Sequence, residues 1–173
     1  MYRNRSDRTV MTSLANALSE MVAVAEDFCQ LIDSKLQLSD DSLDQLFTLM
    51  PRLHAAVTAL NAYDTGEIPP NEVDLDERFE VYSRLRRMLG ERDSYWLEFD
   101  AAPEAMHMSG SLADDLTDIY FDLRYGLELL DEVWPQRAAQ AWQSTYRMHW
   151  GQHLVDAERH LYALKVRNQL VTG

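Results

Sequence analysis

The chain has 173 residues, of which 46% are hydrophobic and 26% charged, with a formal net charge of −13. Such a chain is long enough for one domain with a real core and too apolar to be disordered. Its negative surface repels phosphate backbones, which excludes sequence-independent nucleic-acid binding and suits cationic partners or divalent metals.

Six glycines and five prolines are few breakers for this length, and they favour long helices over a many-turned β fold. No run reaches the roughly 18 apolar residues of a membrane span. Arg3, Arg5 and Arg8 are followed by an amphipathic segment broken by Glu20, Glu26 and Asp27, not by the apolar core of a secretory signal. Cys29 stands alone among Phe28, Leu31 and Ile32, so no intrachain disulfide can form and the thiol reads as a small buried hydrophobe. A cytoplasmic protein is expected, with neither nucleic acid nor membrane as partner.

Residues 1–10 read as a frayed polar arm. From about Thr12, with Ser13 as its cap, Leu14, Leu18, Met21, Val22, Ala25, Phe28, Leu31 and Ile32 recur at helical steps. The run Ser39 to Ser42 reads as a loop and helix start. Leu43, Leu46, Phe47, Leu49, Met50, Leu53, Val57 and Leu60 then mark a second helix, and Pro51 inside it predicts a kink or break. Residues 61–74, with Thr65-Gly66, Pro69-Pro70 and Asn71, form a long surface loop. A third helix is expected over 76–89, where Arg84, Arg86 and Arg87 suit the C-terminal dipole and Gly90 is the stop.

Tyr95, Trp96 and Phe99 make a short aromatic segment. A strand fragment is one reading, but with no partner strand evident the segment reads rather as a helical turn or an extended plug over the core, and residues 101–109, with Pro103 and His107, as a loop. Ser111 opens the next helix with Asp114 in a box-like cap. The apolar seam of this helix is Leu112, Leu116, Ile119, Leu123, Leu127 and Leu130. Asp115, Asp118 and Asp122 each precede a seam residue by one position, so they form a second stripe about 100° round the helix. The last helix begins after Pro135 and extends as far as Asn168. Its seam is Trp150, Leu154, Ala157, Leu161 and Leu164, and His149, His153, Asp156 and His160 stand at the same one-residue offset.

A short connection at Trp134-Pro135 makes the two helices antiparallel neighbours. If their seams face each other, the Asp and His stripes meet. Asp115 lies 19 residues before Trp134 and His153 lies 19 after; Gly126 and Trp142 are each eight residues away. The expected cluster is Asp115, Asp118, His149 and His153, with Asp122 level with Tyr146 and Asp122 and Asp156 as outer groups. Gly126 leaves room for the Trp142 ring. Gly151 permits close helix approach or a local bend beside the histidines.

Histidines at i and i+4 can ligate one metal from one helical face, and aspartates at i and i+3 can do the same. Zn, Mn or Fe suits such a set and could activate water. A His–Asp pair across two helices also satisfies buried polar atoms without a metal. His-x-x-x-His lacks the zincin Glu, and no phosphate loop or nucleophile elbow is present.

The segments Ser-Leu-Ala-Asp-Asp-Leu-Thr-Asp-Ile-Tyr-Phe-Asp-Leu (111–123) and His-Trp-Gly-Gln-His-Leu-Val-Asp-Ala (149–157), with Trp142, resemble a bacterial family of small all-helical domains of unknown function. Glu26-Asp-Phe-Cys and Leu49-Met-Pro-Arg-Leu are similar to it as well. The resemblance spans most of the chain. It implies an α-helical fold and no assigned activity, so no functional residue is carried over.

Together these readings give a single all-α domain over 1–173, a bundle of about five main helices. The favoured function is a non-enzymatic binding or protein-interaction module, acting on a protein partner or as a homo-oligomer. The alternative is a metal-dependent hydrolase built on the Asp/His cluster.

Overall fold

The computed structural model describes residues 5–34, 40–62, 66–97, 108–132 and 135–167. Residues 1–4, Ser39, Phe99, Pro103, His107 and the Trp134 junction lie outside them. Among the described residues six α-helices carry the fold: α1 (Arg5–Asp33), α2 (Asp40–Ala59), α3 (Leu75–Leu89), α4 (Leu112–Glu132), α5 (Pro135–Thr145) and α6 (Gly151–Val166). Residues 5–10 belong to α1, so the helix starts before the expected cap and Ser13 lies inside it. The polar run ahead of the seam contains no breaker, and a helix once nucleated extends through such residues. The second helix is not broken: α2 runs through Pro51 as one element.

The described part of the aromatic segment, with Tyr95 and Trp96, is a strand. β1 (Ser94–Leu97) pairs antiparallel with β2 (Met108–Ser111), Tyr95 opposite Gly110 and Trp96 opposite Ser109. Sequence alone hid the partner, because Met-Ser-Gly-Ser carries no strand pattern. A Cβ on Gly110 would lie 2.2 Å from the Tyr95 ring, so glycine here makes room for that ring to cross β2.

α4 is the central element, packed against α1, α3, α5 and α6. The sequence shows one seam on it. The structure buries nearly its whole circumference from Leu112 to Tyr125, the three aspartates included, with Leu127 and Leu130 only partly covered. The Trp150, Leu154, Ala157, Leu161 and Leu164 seam is buried against this core. Gly126 and Trp142 do face each other: a Cβ on Gly126 would sit 2.0 Å from the indole nitrogen, which donates to the Leu123 carbonyl at 3.1 Å.

Helix ends are tied by side chains from elsewhere. Asp74 caps α3, accepting from the Asp76 and Glu77 amides. Arg84, expected to serve the end of its own helix, donates instead to the Ile32 carbonyl in the last turn of α1 at 2.7 Å. Ser111 accepts from the Asp114 amide at 3.3 Å and donates to Asp93, whose carboxylate also takes the Ala113 amide at 2.7 Å. The Asp114 carboxylate is thereby released from the cap and turns to Arg78. Cys29 is buried, and burial pushes its thiol up to about 12.

Candidate metal site

The last two helices of the chain are joined by a π-turn, Tyr146–Trp150, closed by the Gly151 amide donating to the Tyr146 carbonyl. This five-residue hydrogen bond adds one residue to the turn. From Trp142 to Trp150 is eight residues, whereas two α-turns take about 7.2. The extra residue lets Trp150 follow Trp142 into the core and sets His149 and His153 back to one flank. Tyr146 stands about 40° past Trp142 on the wheel, at roughly 100° per residue, on the other flank. This is why Tyr146 does not meet Asp122, as level counting suggested; its hydroxyl bonds His54 Nε2 at 3.0 Å. Gly151 permits the turn, since a Cβ there would lie 2.4 Å from the Tyr146 carbonyl oxygen.

On the histidine flank the geometry is convergent. His153 Nδ1 lies 2.8 Å from Asp115 Oδ1, and His149 Nδ1 lies 2.7 Å from Asp122 Oδ2. Both Nε2 atoms face one oxygen, Asp118 Oδ2, at 3.3 Å for His153 and 3.9 Å for His149. The other Asp118 oxygen accepts from Arg78 Nε at 3.1 Å and Nη2 at 2.6 Å. One ligand atom each from Asp118, His149 and His153 lies within 4.8 Å of the others.

The expected residues therefore meet, but in different roles. Asp115 is held behind His153, and its second oxygen accepts from the Tyr95 hydroxyl at 2.5 Å. Asp122 stands behind His149 and also takes Asn71 Nδ2 at 3.4 Å. Asp156 bonds Gln152 one turn away and contacts neither imidazole. His160 lies apart, its Nε2 2.7 Å from the Arg92 carbonyl and its ring stacked on Tyr95. Arg78, Asn71 and Tyr95 were not expected at the site. Arg78 is 40 residues from Asp118 in sequence, and nothing local distinguishes it from the other arginines of α3.

Charge is unbalanced. Four aspartates of α4, at 114, 115, 118 and 122, meet one guanidinium, Arg78, among the described residues. Burial pushes the Asp115 and Asp122 carboxyls above the ordinary range, against the pull of their imidazole hydrogen bonds. The hydrogen bond to Asp115 pushes His153 up, with the Asp118 charge adding to it and burial opposing. The His149 side chain is 52% exposed and that of His153 25%, so the convergent atoms face outward from a buried carboxylate floor.

The chain matches, over residues 12–167, the family described as Domain of unknown function (DUF5063). It belongs to that family. This agrees with the resemblance carried by the 111–123 and 149–157 segments. No curated protein matches the chain. Among solved structures it is similar to the crystal structure of protein BF1032 from Bacteroides fragilis, with TM-score 0.71 and 21% identity, over 86% of this chain and 92% of that one. At that identity the likeness speaks for the fold alone. No described helix of this DUF5063 chain is long and apolar enough to cross a membrane.

Proposed function

We propose that this domain binds a divalent transition metal through Asp118 Oδ2, His149 Nε2 and His153 Nε2. One observation carries the reading: both imidazoles turn Nδ1 to a carboxylate behind them and Nε2 to the same carboxylate oxygen. A ligating histidine that donates its other N–H to a carboxylate has a fixed tautomer and a more basic ligating nitrogen. Without a cation, two lone pairs and an anionic oxygen would face one another. A proton on His153 Nε2 answers the 3.3 Å contact but leaves His149, at 3.9 Å, beyond hydrogen-bond distance. A metal answers all three. Zn–N distances of about 2.0–2.1 Å put tetrahedral donors roughly 3.3 Å apart, so His149, the more exposed ring, has only to swing inward.

Two imidazoles and one carboxylate suit Zn, Mn or Fe, and they leave coordination positions open toward solvent. Those positions support a second reading, the metal-dependent hydrolase, because three protein ligands with an open site are the pattern in which metal-bound water is activated. The first reading is a binding module with no reaction of its own. The same reading includes a cytoplasmic location, supported by the single buried thiol at Cys29.

Metal analysis of the purified protein, with melting curves under chelator and added Zn, Mn or Fe, tests the proposal. We expect one of these metals to raise the melting temperature and His153→Ala to abolish the rise. A metal-free protein whose melting is indifferent to all three ions would overturn it. Release of a chromogenic phosphate or ester by the loaded protein, lost in Asp118→Asn, separates the hydrolase from the binding module.

A further inference from the structure

On the other flank of α6 a cavity of about 510 Å³ opens between α2 and α6, lined by Phe47, Pro51, His54, Thr58, Glu158 and Tyr162 among others. Its polar groups are almost all acceptors or already engaged. His54 gives Nδ1 to Glu158 Oε2 at 3.1 Å, and its Nε2 faces the Tyr146 hydroxyl at 3.0 Å. The Thr58 hydroxyl donates back to the His54 carbonyl at 2.8 Å. What remains is the second oxygen of Glu158, for which no donor is found among the described residues. No lysine or arginine pairs with Glu158 among the described residues; its ion-pair partner is His54.

Two aromatic rings complete the walls. Phe47 already takes an ammonium on its ring: Lys165 Nζ lies 5.6 Å from its centroid, while its charge is paired with Asp44. Tyr162 is 62% exposed at the mouth. With the Phe47 ring occupied by Lys165, the second carboxylate oxygen of Glu158 and the exposed Tyr162 ring, beside an otherwise apolar space, fit a cation on a short apolar stem. The ammonium beside them, Lys165 on the Phe47 ring, is already paired with Asp44, so an anion would find no unpaired positive charge among the described lining residues. The net charge of −13 draws such cations to the surface.

We propose that this cavity binds an alkylammonium group, the head of a lysine side chain or of a small primary amine. The site is independent of the metal cluster, and neither proposal needs the other.

Amide chemical-shift titrations of the full chain test it, with n-butylammonium and a capped Gly-Lys-Gly peptide as probes and N-butylacetamide as the neutral control. We expect saturable shifts clustered at Ala55, Thr58 and Tyr162 with at least one cation, and none with the control. Glu158→Gln should weaken binding about tenfold or more, as expected for loss of a charge-assisted contact. Tyr162→Ala should weaken it about two- to fivefold, the range of an exposed cation–π contact. Because Tyr162 is exposed, its variant folds whatever Glu158→Gln does to His54. Tighter binding of the peptide identifies a polypeptide lysine, and tighter binding of n-butylammonium a small amine. Equal shifts with the neutral control, shifts scattered over the acidic surface, or binding unchanged in Tyr162→Ala would overturn the proposal.

Discussion

Two imidazole clusters sit on opposite flanks of the π-turn and α6, and they differ in how their protons are accounted for. In Glu158–His54–Tyr146, a carboxylate accepts from Nδ1 and a hydroxyl can donate to Nε2. Both ring nitrogens of His54 have a complementary partner within the protein. In Asp115–His153–Asp118 and Asp122–His149–Asp118, both ends of each ring face a carboxylate. His153, held between two carboxylates, is pushed up toward its protonated form, while His149 Nε2 lies 3.9 Å from Asp118 without a hydrogen bond to it, and the metal proposed above would serve both rings. The first arrangement is closed at both ring nitrogens, whereas in the second one guanidinium, Arg78, faces four aspartates. The difference arises from one residue type: a hydroxyl on Tyr146 against a carboxylate on Asp118.

The largest effect expected from this contrast is on metal-dependent stability. At a hundredfold excess over Kd, a metal bound only to the native state adds about 2.7 kcal/mol. For a domain of this size that corresponds to roughly 5–10 °C in melting temperature, at about 2–4 °C per kcal/mol. Asp118→Asn should remove this increment. Tyr146→Phe should leave it intact, because it alters only the closed cluster. A metal response that survives Asp118→Asn but fails in Tyr146→Phe would reverse the assignment of the two sites.

Gly151→Ala comes next. The added Cβ meets a backbone oxygen at 2.4 Å, which cannot swing away as a side chain can. A cost of about 1–3 kcal/mol in urea unfolding is expected, in the range of overpacking and against the usual gain of replacing a helical glycine. The metal increment should shrink as well, since the π-turn sets the direction of His149. A stabilised variant with unchanged metal response would show that the turn does not matter to the site.

Tyr146→Phe itself should cost about 0.5–1.5 kcal/mol, the net worth of one hydrogen bond, with little dependence on added metal. Equilibrium unfolding in urea with and without chelator reads both quantities.

The smallest expected effect is on pH dependence in chelated protein. Burial holds His160 below its ordinary value of about 6.5. The unfolded chain then binds the proton more readily, so this stability is present above pH ~6.5 and is lost as pH falls through the lower folded value. His153, pushed up by Asp115, has the opposite sign: its contribution is present below pH ~6.5 and is lost as pH rises through its higher folded value. His160→Gln should flatten the acid side of the stability curve and His153→Gln the neutral side. Matching slopes in both variants would contradict the assignment.

Much of this was legible in the residues. Helical periodicity and a short connection are local properties, and counting outward from Trp134 is enough to set Gly126 against Trp142 and Asp115 against His153. The aspartate and histidine stripes were visible because a one-residue offset from an apolar seam fixes an angle on a helix. The pairing of β1 with β2 was not, since Met-Ser-Gly-Ser carries no strand pattern and the fit of the Tyr95 ring over Gly110 is a tertiary contact.

What the sequence by itself determined is therefore the helices, their seams and which two stripes meet. Tertiary structure alone decided the rest. It turned Nε2 of both histidines toward Asp118, brought Arg78 to the other oxygen of that carboxylate, and placed Asp115 and Asp122 behind the rings. The physical reason is that periodicity fixes where a side chain leaves the backbone. Which way its nitrogen points depends on one inserted residue in the Tyr146–Trp150 turn and on partners 27 to 40 residues away.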